Sequence, residues 1–310
     1  MRYVFLVNPV AGKGKAVETV SRMLQKIKDV NFKMLITKSG DDTKELARSE
    51  AAKGDEVVVF GCGGEGTCFQ ALNGIIDYPN ASLGIVPCGS ANDFLKLFES
   101  KSPFLDLQSQ LEGTLTPIDI VKCDDEYCFN GCSAGMDAMV AHDMGINKNW
   151  KFVSGSMAYK LSIVKNFLSK KIGLPLRVNI DGGAVNTDDY LFAVCANGSA
   201  YGGGYTPAPK ASPEDGKLDF ALVKKMPRLK IPGFLKFYEK GEYEHFDCAS
   251  TGNCFVMDIE SDKPFPVNRD GEIIMKTKVH FELVRRAVNL LVPKGAVKKY
   301  EETLNFAKST

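Results

Sequence analysis

The sequence lacks an excess of charge of either sign, since 39 basic and 38 acidic residues leave a net charge of +1. No general field attracts nucleic acid, so we expect no nucleic-acid partner. The chain also lacks a C-x-x-C pair among its nine cysteines and an apolar signal core before Asn8. We therefore expect free, mostly buried thiols in a reduced, cytoplasmic setting. Three histidines, His142, His245 and His280, lie too far apart to predict a local zinc motif.

Long apolar runs are missing as well. No stretch approaches the roughly 18 apolar residues that span a bilayer, so we expect any membrane contact to be peripheral, at the inner face of the membrane. One stretch, 224–238, interleaves cations with apolar residues. Pro227 and Pro232 interrupt any long amphipathic helix there, which favours a core-packed helix with a solvated face. Contact with an anionic bilayer surface remains the alternative.

The length of 310 residues predicts two domains, because single cores stop growing near about 250–300 residues. Alternating strands and helices predict a Rossmann-like, three-layer α/β nucleotide-binding domain over residues 1–117. Short strands separated by turns then predict an antiparallel β-sandwich domain over 118–288. We expect residues 289–310 to pack back on the first domain. The oligomeric state stays open, with a homodimer as one possibility.

Individual elements follow from periodicity and from start and stop signals. In the first domain the strands are predicted at 3–7, 32–37, 57–60 and 82–86, and the helices at 15–27, a segment reaching 53, 68–74 and 92–98. Asp41 or Asp42 is expected to cap the second helix and Gly54 to end it. In the second domain a helix is predicted at 156–170, and strands at 118–123, 127–131, 176–180, 190–197, 218–223, 253–259, 273–276 and 279–283.

A glycine turn after the strand 57–60 is the most informative local feature. Four glycines separate that strand from a helix beginning near Thr67: Gly61, Gly63, Gly64 and Gly66. Such a turn lets backbone N–H groups approach an anion closely, which predicts a phosphate cradle. It also satisfies the dinucleotide pattern G-x-G-x-x-G, but the next strand, 82–86, has no carboxylate at its end for a ribose hydroxyl. An NAD-dependent oxidoreductase is therefore disfavoured and kept as an alternative.

Two further turns also follow predicted strands of the first domain, as the glycine turn does. Residues 8–15 join glycines to Lys13 and Lys15 after the first strand, without the Walker spacing of P-loop NTPases. Residues 87–94 place a hydroxyl and an Asn-Asp pair after another strand, although a plain helix cap would explain Ser90 or Asn92 singly. Because carboxyl ends of parallel strands meet at one edge of a sheet, we expect these turns to converge on a ligand.

Together these motifs resemble the diacylglycerol kinase and sphingosine kinase family, a lipid-kinase group distantly akin to NAD kinases, over nearly the whole chain. Residues 63–67 are similar to the family's G-G-D-G-T signature, and 87–94 to its P-x-G-T-x-N-D-F segment. Two residues depart from the pattern. Glu65 stands where the family usually has Asp, and Ser90 where it usually has Thr. Serine keeps the hydroxyl, whereas Glu65 moves its carboxylate about one methylene further into the site.

The resemblance implies ATP and Mg²⁺ as nucleotide substrate and cofactor. It implies that the triphosphate is held by glycine-loop amides and Lys13, and that Glu65 orients the catalytic Mg²⁺ or its waters. The implied nucleotide-binding residues are Asn8, Pro9, Gly12, Lys13, Thr37, Gly63, Gly64, Glu65, Gly66, Thr67, Ser90 and Asn92.

The second domain carries further matches. Residues 129–138 are similar to the family's N-x-x-G-x-G-x-D-A stretch, where Asp137 either faces the cleft or caps a helix. Residues 201–219 are similar to a run whose loop holds a structural Mg²⁺ in bacterial members. The resemblance implies that the ligands are Ser212, Asp215 and the carbonyl of Lys217, in a segment that otherwise indicates only a turn.

The last match is 268–272, similar to the family's D-G-E signature. From the residues alone, Asp270-Gly271 between two strand patterns predicts a hairpin turn. The resemblance implies that Glu272 is the general base that deprotonates the lipid hydroxyl, with Asp270 as a close neighbour.

We therefore expect an ATP-dependent lipid kinase acting on a lipid alcohol at the membrane surface, with diacylglycerol as the favoured acceptor. The alternatives are a sphingoid base or phosphatidylglycerol as acceptor, a regulatory protein that binds nucleotide without turnover, and the oxidoreductase.

Overall fold

The structure, a computed structural model, describes residues 1–26, 30–89, 91–136, 138–139 and 172–299. The helix predicted at 156–170 lies outside the described residues. The chain forms two compact units. The first contains residues 1–120 together with the chain from Arg285 onward, and the second contains Val121–Val284.

The first unit is built on a parallel sheet. Its strands are β1 (Arg2–Val7), β2 (Phe32–Ile36), β3 (Val57–Gly63) and β4 (Ala81–Pro87), in the order β2-β1-β3-β4. The end of a later strand, β13 (Glu272–Val292), lies parallel to β4 with Asn289 opposite Ser82. The helices are α1 (Ala11–Gly14), α2 (Ala16–Leu24), α3 (Gly40–Ala51), α4 (Glu65–Ile75) and α5 (Leu107–Leu111), with 3₁₀ turns at Asp93–Leu97 and Ser102–Leu105.

Helices cover both faces of this sheet, as the alternating pattern predicts. On one face Val20 and Met23 of α2 join Phe5 and Phe60 in a buried cluster, and the two phenylalanine rings stack at 4.4 Å. Successive strand residues point to opposite faces. The neighbouring Gly61 accordingly faces α4, close enough that a Cβ would lie 3.0 Å from Cys68. The predicted three-layer α/β architecture is confirmed.

The start of α3 differs from the prediction. Ser39 is the cap, and its Oγ accepts the Asp42 N–H at 3.1 Å, while Asp42 accepts the Lys38 N–H at 2.7 Å. Asp42 therefore accepts the N–H of the residue before the cap, in a variant of the capping box, and is not the cap itself. Asp41 lies one residue inside the helix with no capping role. The predicted helix at 92–98 is also wrong, because Asn92 has φ +50° and only a 3₁₀ turn follows it.

The second unit is antiparallel. Its strands are the end of β5 (Thr114–Cys123), β6 (Glu126–Cys128), β7 (Gly131–Gly135), β8 (Leu174–Ile180), β9 (Asn186–Ala196), β10 (Leu218–Lys224), β11 (Ala249–Cys254), β12 (Val256–Arg269) and β13. Their order is β11-β10-β9-β7-β12-β13, with β8 pairing both β9 and β12. The predicted β-sandwich is confirmed.

On one side, β12 pairs with two different strands in succession, because its register shifts part-way along. It pairs with β8 up to Glu260, and with β7 from Val267 onward. The shift between Glu260 and Phe265 falls on β12, while β13 runs on opposite it. The two strands predicted at 273–276 and 279–283 are therefore one strand, since the irregularity belongs to its partner.

The core of the second unit includes a helix, α6 (Ile231–Lys240), which follows a 3₁₀ turn at Arg228–Lys230. Ile231, Phe234 and Tyr238 of α6 are buried, and the Tyr238 ring stacks on Phe192 at 4.8 Å. Pro232 lies in the first turn, where its missing N–H costs nothing. In the part of the chain that the structure describes, no helix is long and apolar enough to cross a bilayer.

Candidate functional site

Three loops at the carboxyl ends of β1, β3 and β4 are tied together in the first unit. Asn8, after β1, donates from Nδ2 to the Thr67 hydroxyl at 3.3 Å, and its own N–H donates to the Cys62 carbonyl at 3.1 Å. Thr67 lies in the first turn of α4, which Gly64 precedes as the N-cap. The structure therefore brings Asn8 and Thr67 together, although 59 positions separate them in the chain.

The loops after β3 and β4 touch through their backbones. Gly89 N–H donates to the Gly63 carbonyl at 2.8 Å, and Asn92 Nδ2 donates to the same carbonyl at 3.1 Å. A Cβ on Gly89 would lie 2.4 Å from the Gly64 Cα, which no side chain tolerates. Glycine at 89 is thus required by this close approach.

The loop after β1 reaches the same place. Gly12 and Lys13 both have left-handed backbone conformations, with φ of +61° and +59°. A Cβ on Gly12 would lie 2.8 Å from the Cys88 carbonyl oxygen. Lysine is rare in this conformation, so Lys13 is held there by the loop, and its side chain is exposed. This loop places a cation beside the two glycine turns.

Glu65 connects two of these loops. Its Oε1 accepts the Asp93 N–H at 2.6 Å, which joins the start of α4 to the segment after β4. Nearby, Lys101 donates to the Ala91 carbonyl, and burial lowers its pKa although Asp93 and Glu65 oppose that change. The carboxylate also lies at the positive end of α4, where a negative charge is stabilised. Glu65 thus ties the first turn of α4 to the segment after β4.

Asn92 presents an unsatisfied acceptor at this end of the sheet. The side chain is only 4% exposed, and its Oδ1 accepts no hydrogen bond within the described residues. Buried oxygens of this kind are rare, and a ligand donor is one way to satisfy them. Thr37, at the end of β2, is buried, and both its N–H and its hydroxyl donate to the Val7 carbonyl, which ties the end of β2 to β1. Ser90 lies outside the described residues.

The predicted hairpin turn of the D-G-E segment is confirmed between β12 and β13 in the second unit. Asp270, 4% exposed with φ +47°, accepts the N–H groups of Phe129 at 2.7 Å, Gly131 at 2.8 Å and Asn130 at 3.2 Å. Burial raises its pKa to about 7, and these N–H donors act in the opposite direction. Glu272 is exposed and makes no ion pair with the described residues. Asp270 therefore braces the turn that presents Glu272.

The loop predicted to bind structural Mg²⁺ also lies in the second unit. Ser212 Oγ accepts the Glu214 N–H at 3.3 Å, and Asp215 accepts the Lys217 N–H at 3.1 Å. Sequence reasoning missed Asp219, whose pKa is raised to about 7 first by burial and then by the charge of Asp215. A cation would relieve this repulsion, and hard oxygens suit Mg²⁺. Among the described residues, no three His, Cys, Asp or Glu side chains gather into a metal-binding group. Asp137, the other cleft candidate, is outside the described residues.

Comparison with known proteins decides the family. The family model described as diacylglycerol kinase catalytic domain matches residues 2–123, and the one described as YegS C-terminal NAD kinase beta sandwich-like domain matches 130–292. The chain belongs to the diacylglycerol kinase family of lipid kinases. It is 27% identical over 298 residues to a diacylglycerol kinase of Mycobacterium tuberculosis (strain CDC 1551 / Oshkosh), covering 93% of this chain and 94% of that protein.

Two further relatives agree with this family. A protein of Shewanella frigidimarina named "Probable lipid kinase YegS-like" is 30% identical over 244 residues, which is 76% of either chain. A solved structure of a diacylglycerol kinase from Bacillus anthracis str. Sterne aligns with a TM-score of 0.71 at 20% identity, covering 96% of this chain and 98% of that chain. This structural likeness shows the shared fold. Membership in the family implies a kinase, which uses a nucleotide and usually a divalent metal.

Proposed function

We propose that this family member transfers the γ-phosphate of ATP to the hydroxyl of a lipid alcohol, with diacylglycerol as the favoured acceptor, and that it works in the cytoplasm at the inner face of the membrane. The observation that carries the proposal is the contact between the glycine loops after β1, β3 and β4. Three loops locked by backbone contacts form a preorganised anion site beside a helix N-terminus. Phosphoryl transfer depends mainly on such positioning and charge neutralisation.

In this proposal each group has a defined task. Backbone N–H groups of the glycine loops and the Lys13 ammonium hold the triphosphate. The Asn92 Oδ1 accepts a hydrogen bond from a ribose hydroxyl or from a water on the metal. Glu65 is the carboxylate that would hold a Mg²⁺ ion or its waters, and that ion would neutralise charge on the phosphate oxygens of ATP.

The acceptor step uses Glu272. Its carboxylate takes the proton of the lipid hydroxyl while that oxygen bonds to the γ-phosphorus and the bond to the ADP oxygen breaks. Because Glu272 is exposed at the first residue of β13, its carboxylate is accessible to an acceptor molecule.

Transfer from labelled ATP tests the proposal. The full chain with Mg²⁺ is assayed against diacylglycerol, a sphingoid base and phosphatidylglycerol in mixed micelles. We expect diacylglycerol to be labelled fastest, and Glu272→Gln to lower kcat by about 10²–10⁴. The matched control is Glu282→Gln, a change on the same strand. If Glu272→Gln keeps the parental rate, the base has been assigned incorrectly.

One observation favours a second function, a regulatory protein that binds nucleotide without turnover. Glu65 replaces the family's usual Asp, and its Oε1 accepts the Asp93 N–H at 2.6 Å, which ties the carboxylate to the segment after β4. If the parent binds Mg·ATP but labels no lipid, and Glu65→Asp restores transfer, this second function is supported. An oxidoreductase would instead shift the fluorescence of NADH on binding.

A further inference from the structure

A narrow exposed surface of the second unit combines apolar side chains with cations. We define the basic–apolar ridge as five of the exposed side chains in and just before α6: Leu229, Lys230, Lys236, Phe237 and Lys240. Arg228 and Glu239 are exposed in the same segment. Leu229 is 93% exposed, more than any other large hydrophobic side chain among the described residues, and Phe237 is 40% exposed. Contact with a partner that covers Leu229 would be favourable, because it would remove this apolar surface from water.

The ridge is held rigidly by the opposite face of the same helix. Ile231, Phe234 and Tyr238 are buried at 0%, 1% and 1% exposure. Lys236 and Lys240 are four residues apart and share the exposed face of α6. Phe237 is 40% exposed, and its ring also packs edge-to-face against His245 at 5.5 Å and Phe246 at 5.4 Å. The 3₁₀ turn that presents Leu229 is closed by the Lys230 N–H donating to the Pro227 carbonyl at 2.9 Å. The ridge is therefore preorganised in the structure.

The lysines of the ridge favour a partner with negative charge. Within the described residues, Lys230, Lys236 and Lys240 have no carboxylate within 4.0 Å. In contrast, the neighbouring Lys224 and Lys225 are paired with Asp188 at 2.8 Å and Asp189 at 2.9 Å. Unpaired lysines beside exposed Leu and Phe side chains match a surface that is anionic outside and apolar beneath.

We propose that the basic–apolar ridge docks this protein on an anionic phospholipid bilayer. Leu229 and Phe237 enter the interfacial layer, and the three lysines contact lipid phosphates. The inference rests on the proposed function, because a kinase of a lipid alcohol meets its acceptor at a bilayer. A short ridge of this size gives reversible binding rather than permanent anchoring.

Vesicle co-sedimentation tests the docking surface without any phosphoryl transfer. The full chain is mixed with vesicles of phosphatidylcholine alone or with added phosphatidylserine, in the absence of ATP and of diacylglycerol. We expect binding only to the anionic vesicles, weakening with added salt. Leu229→Glu is expected to lower the affinity at least about tenfold, and the double change Lys236→Ala with Lys240→Ala by a similar factor.

The matched control is Val185→Glu, since Val185 is 59% exposed in the turn between β8 and β9 of the same unit. All these positions are exposed, so circular dichroism is expected to be unchanged. Parental affinity for Leu229→Glu and for the double lysine variant would overturn the proposal, as would an equal loss for Val185→Glu. Absence of binding by the parent to anionic vesicles would overturn it too.

A second assay separates this inference from the proposed function. Transfer from labelled ATP to a short-chain diacylglycerol dispersed in micelles does not require a bilayer surface. If the ridge variants keep this activity and lose vesicle binding, both proposals are supported. A parent that binds vesicles and labels no lipid contradicts the proposed function alone, whereas one that labels lipid and ignores vesicles contradicts the ridge alone.

Discussion

Glu50 shows how a buried charge is stabilised at the edge of the first unit. Its side chain is 3% exposed, and it pairs with Arg2 at 2.8 Å, Lys33 at 2.7 Å and Lys53 at 2.6 Å. Burial raises its pKa, but the hydrogen bonds from the three cations outweigh burial and lower the value from 4.5 to about 2. The carboxylate therefore stabilises the folded state only while it is ionised.

We predict that Glu50→Gln destabilises the protein by about 2–3 kcal/mol at pH 7. Because the folded pKa is depressed, this contribution is complete above pH 4.5 and disappears as the pH falls through about 2. Urea denaturation at pH 7 and at lower pH measures the difference between variant and parent. Glu18→Gln, which breaks an exposed pair with Arg22, is the control and should cost about 0.5 kcal/mol or less. A difference that persists unchanged at acidic pH would contradict this account of Glu50.

A second prediction concerns Asp270, whose effect on stability changes with pH in the direction opposite to that of Glu50. Asp270→Ala removes the acceptor of three backbone N–H groups and should destabilise the protein by at least about 3 kcal/mol. In the parent, burial raises the pKa from 3.8 to about 7, so the contribution of this group is complete below pH 3.8 and is lost as the pH rises through 7. Asp270→Asn should therefore show a flatter loss of stability between pH 5 and pH 8 in urea denaturation. An identical pH slope in both proteins would contradict the raised pKa.

At the scale of secondary-structure elements, the site depends on how closely two loops approach. Gly64 and Gly89 form a natural pair of test positions, because a Cβ on Gly89 would lie 2.4 Å from the Gly64 Cα, whereas a Cβ on Gly64 would meet nothing nearer than 3.8 Å. The close contact therefore requires glycine at position 89 for structural reasons, whereas position 64 has room for a methyl group. A substitution at Gly64 can thus test ligand binding without disturbing the loop contact.

We predict that Gly89→Ala lowers the free energy of unfolding by about 2 kcal/mol or more, since backbone atoms must move. Gly64→Ala should lose less than about 1 kcal/mol, yet weaken nucleotide binding, because the methyl group fills part of the phosphate cradle. Thermal unfolding and calorimetry with Mg·ATP measure the two effects. Equal destabilisation by both changes would show that the loop contact is not as tight as described.

Sequence patterns predicted most helices and strands but not the hydrogen bonds that cap a helix or the irregularities that interrupt strand pairing. The strand that enters the glycine turn was found from its apolar run, and Asp270-Gly271 from its turn chemistry. The prediction of Asp41 or Asp42 as the cap of α3 is two or three residues too late, because Ser39 and Asp42 are both good cap residues and only the observed hydrogen bonds distinguish them. The irregularity in β12 left no mark on the sequence of β13, so one long strand was predicted as two.

At the scale of the whole molecule, the prediction of free and mostly buried thiols is confirmed. The described residues include all nine cysteines and contain no disulfide, and every cysteine except the partly exposed Cys248 is buried. Burial raises the pKa of the Cys88 thiol to about 11 and of Cys128 to about 12. Thiolates react far faster than thiols, so exposure and pKa together control labelling.

We predict that an aromatic disulfide reagent labels Cys248 rapidly in the native protein and the other cysteines only as the chain unfolds. In guanidinium chloride all nine should react. A Cys248→Ser variant is the control and should lose the fast phase completely. Fast labelling of several sites in that variant would mean that the cores of the two units are more open than the structure shows.

The sequence by itself determined the succession of α/β and β elements, the glycine turns and the family, since each depends on residues that are neighbours in the chain. Only the tertiary structure decided which groups meet. It placed Asn8 against Thr67, gave Glu65 the Asp93 N–H, and buried Asp270 against Phe129 and its neighbours, 141 positions away. It also left the side chain of Leu229 exposed to solvent. The physical reason is that periodicity and turn chemistry are local, whereas hydrogen bonds and burial between distant segments exist only once the chain has packed.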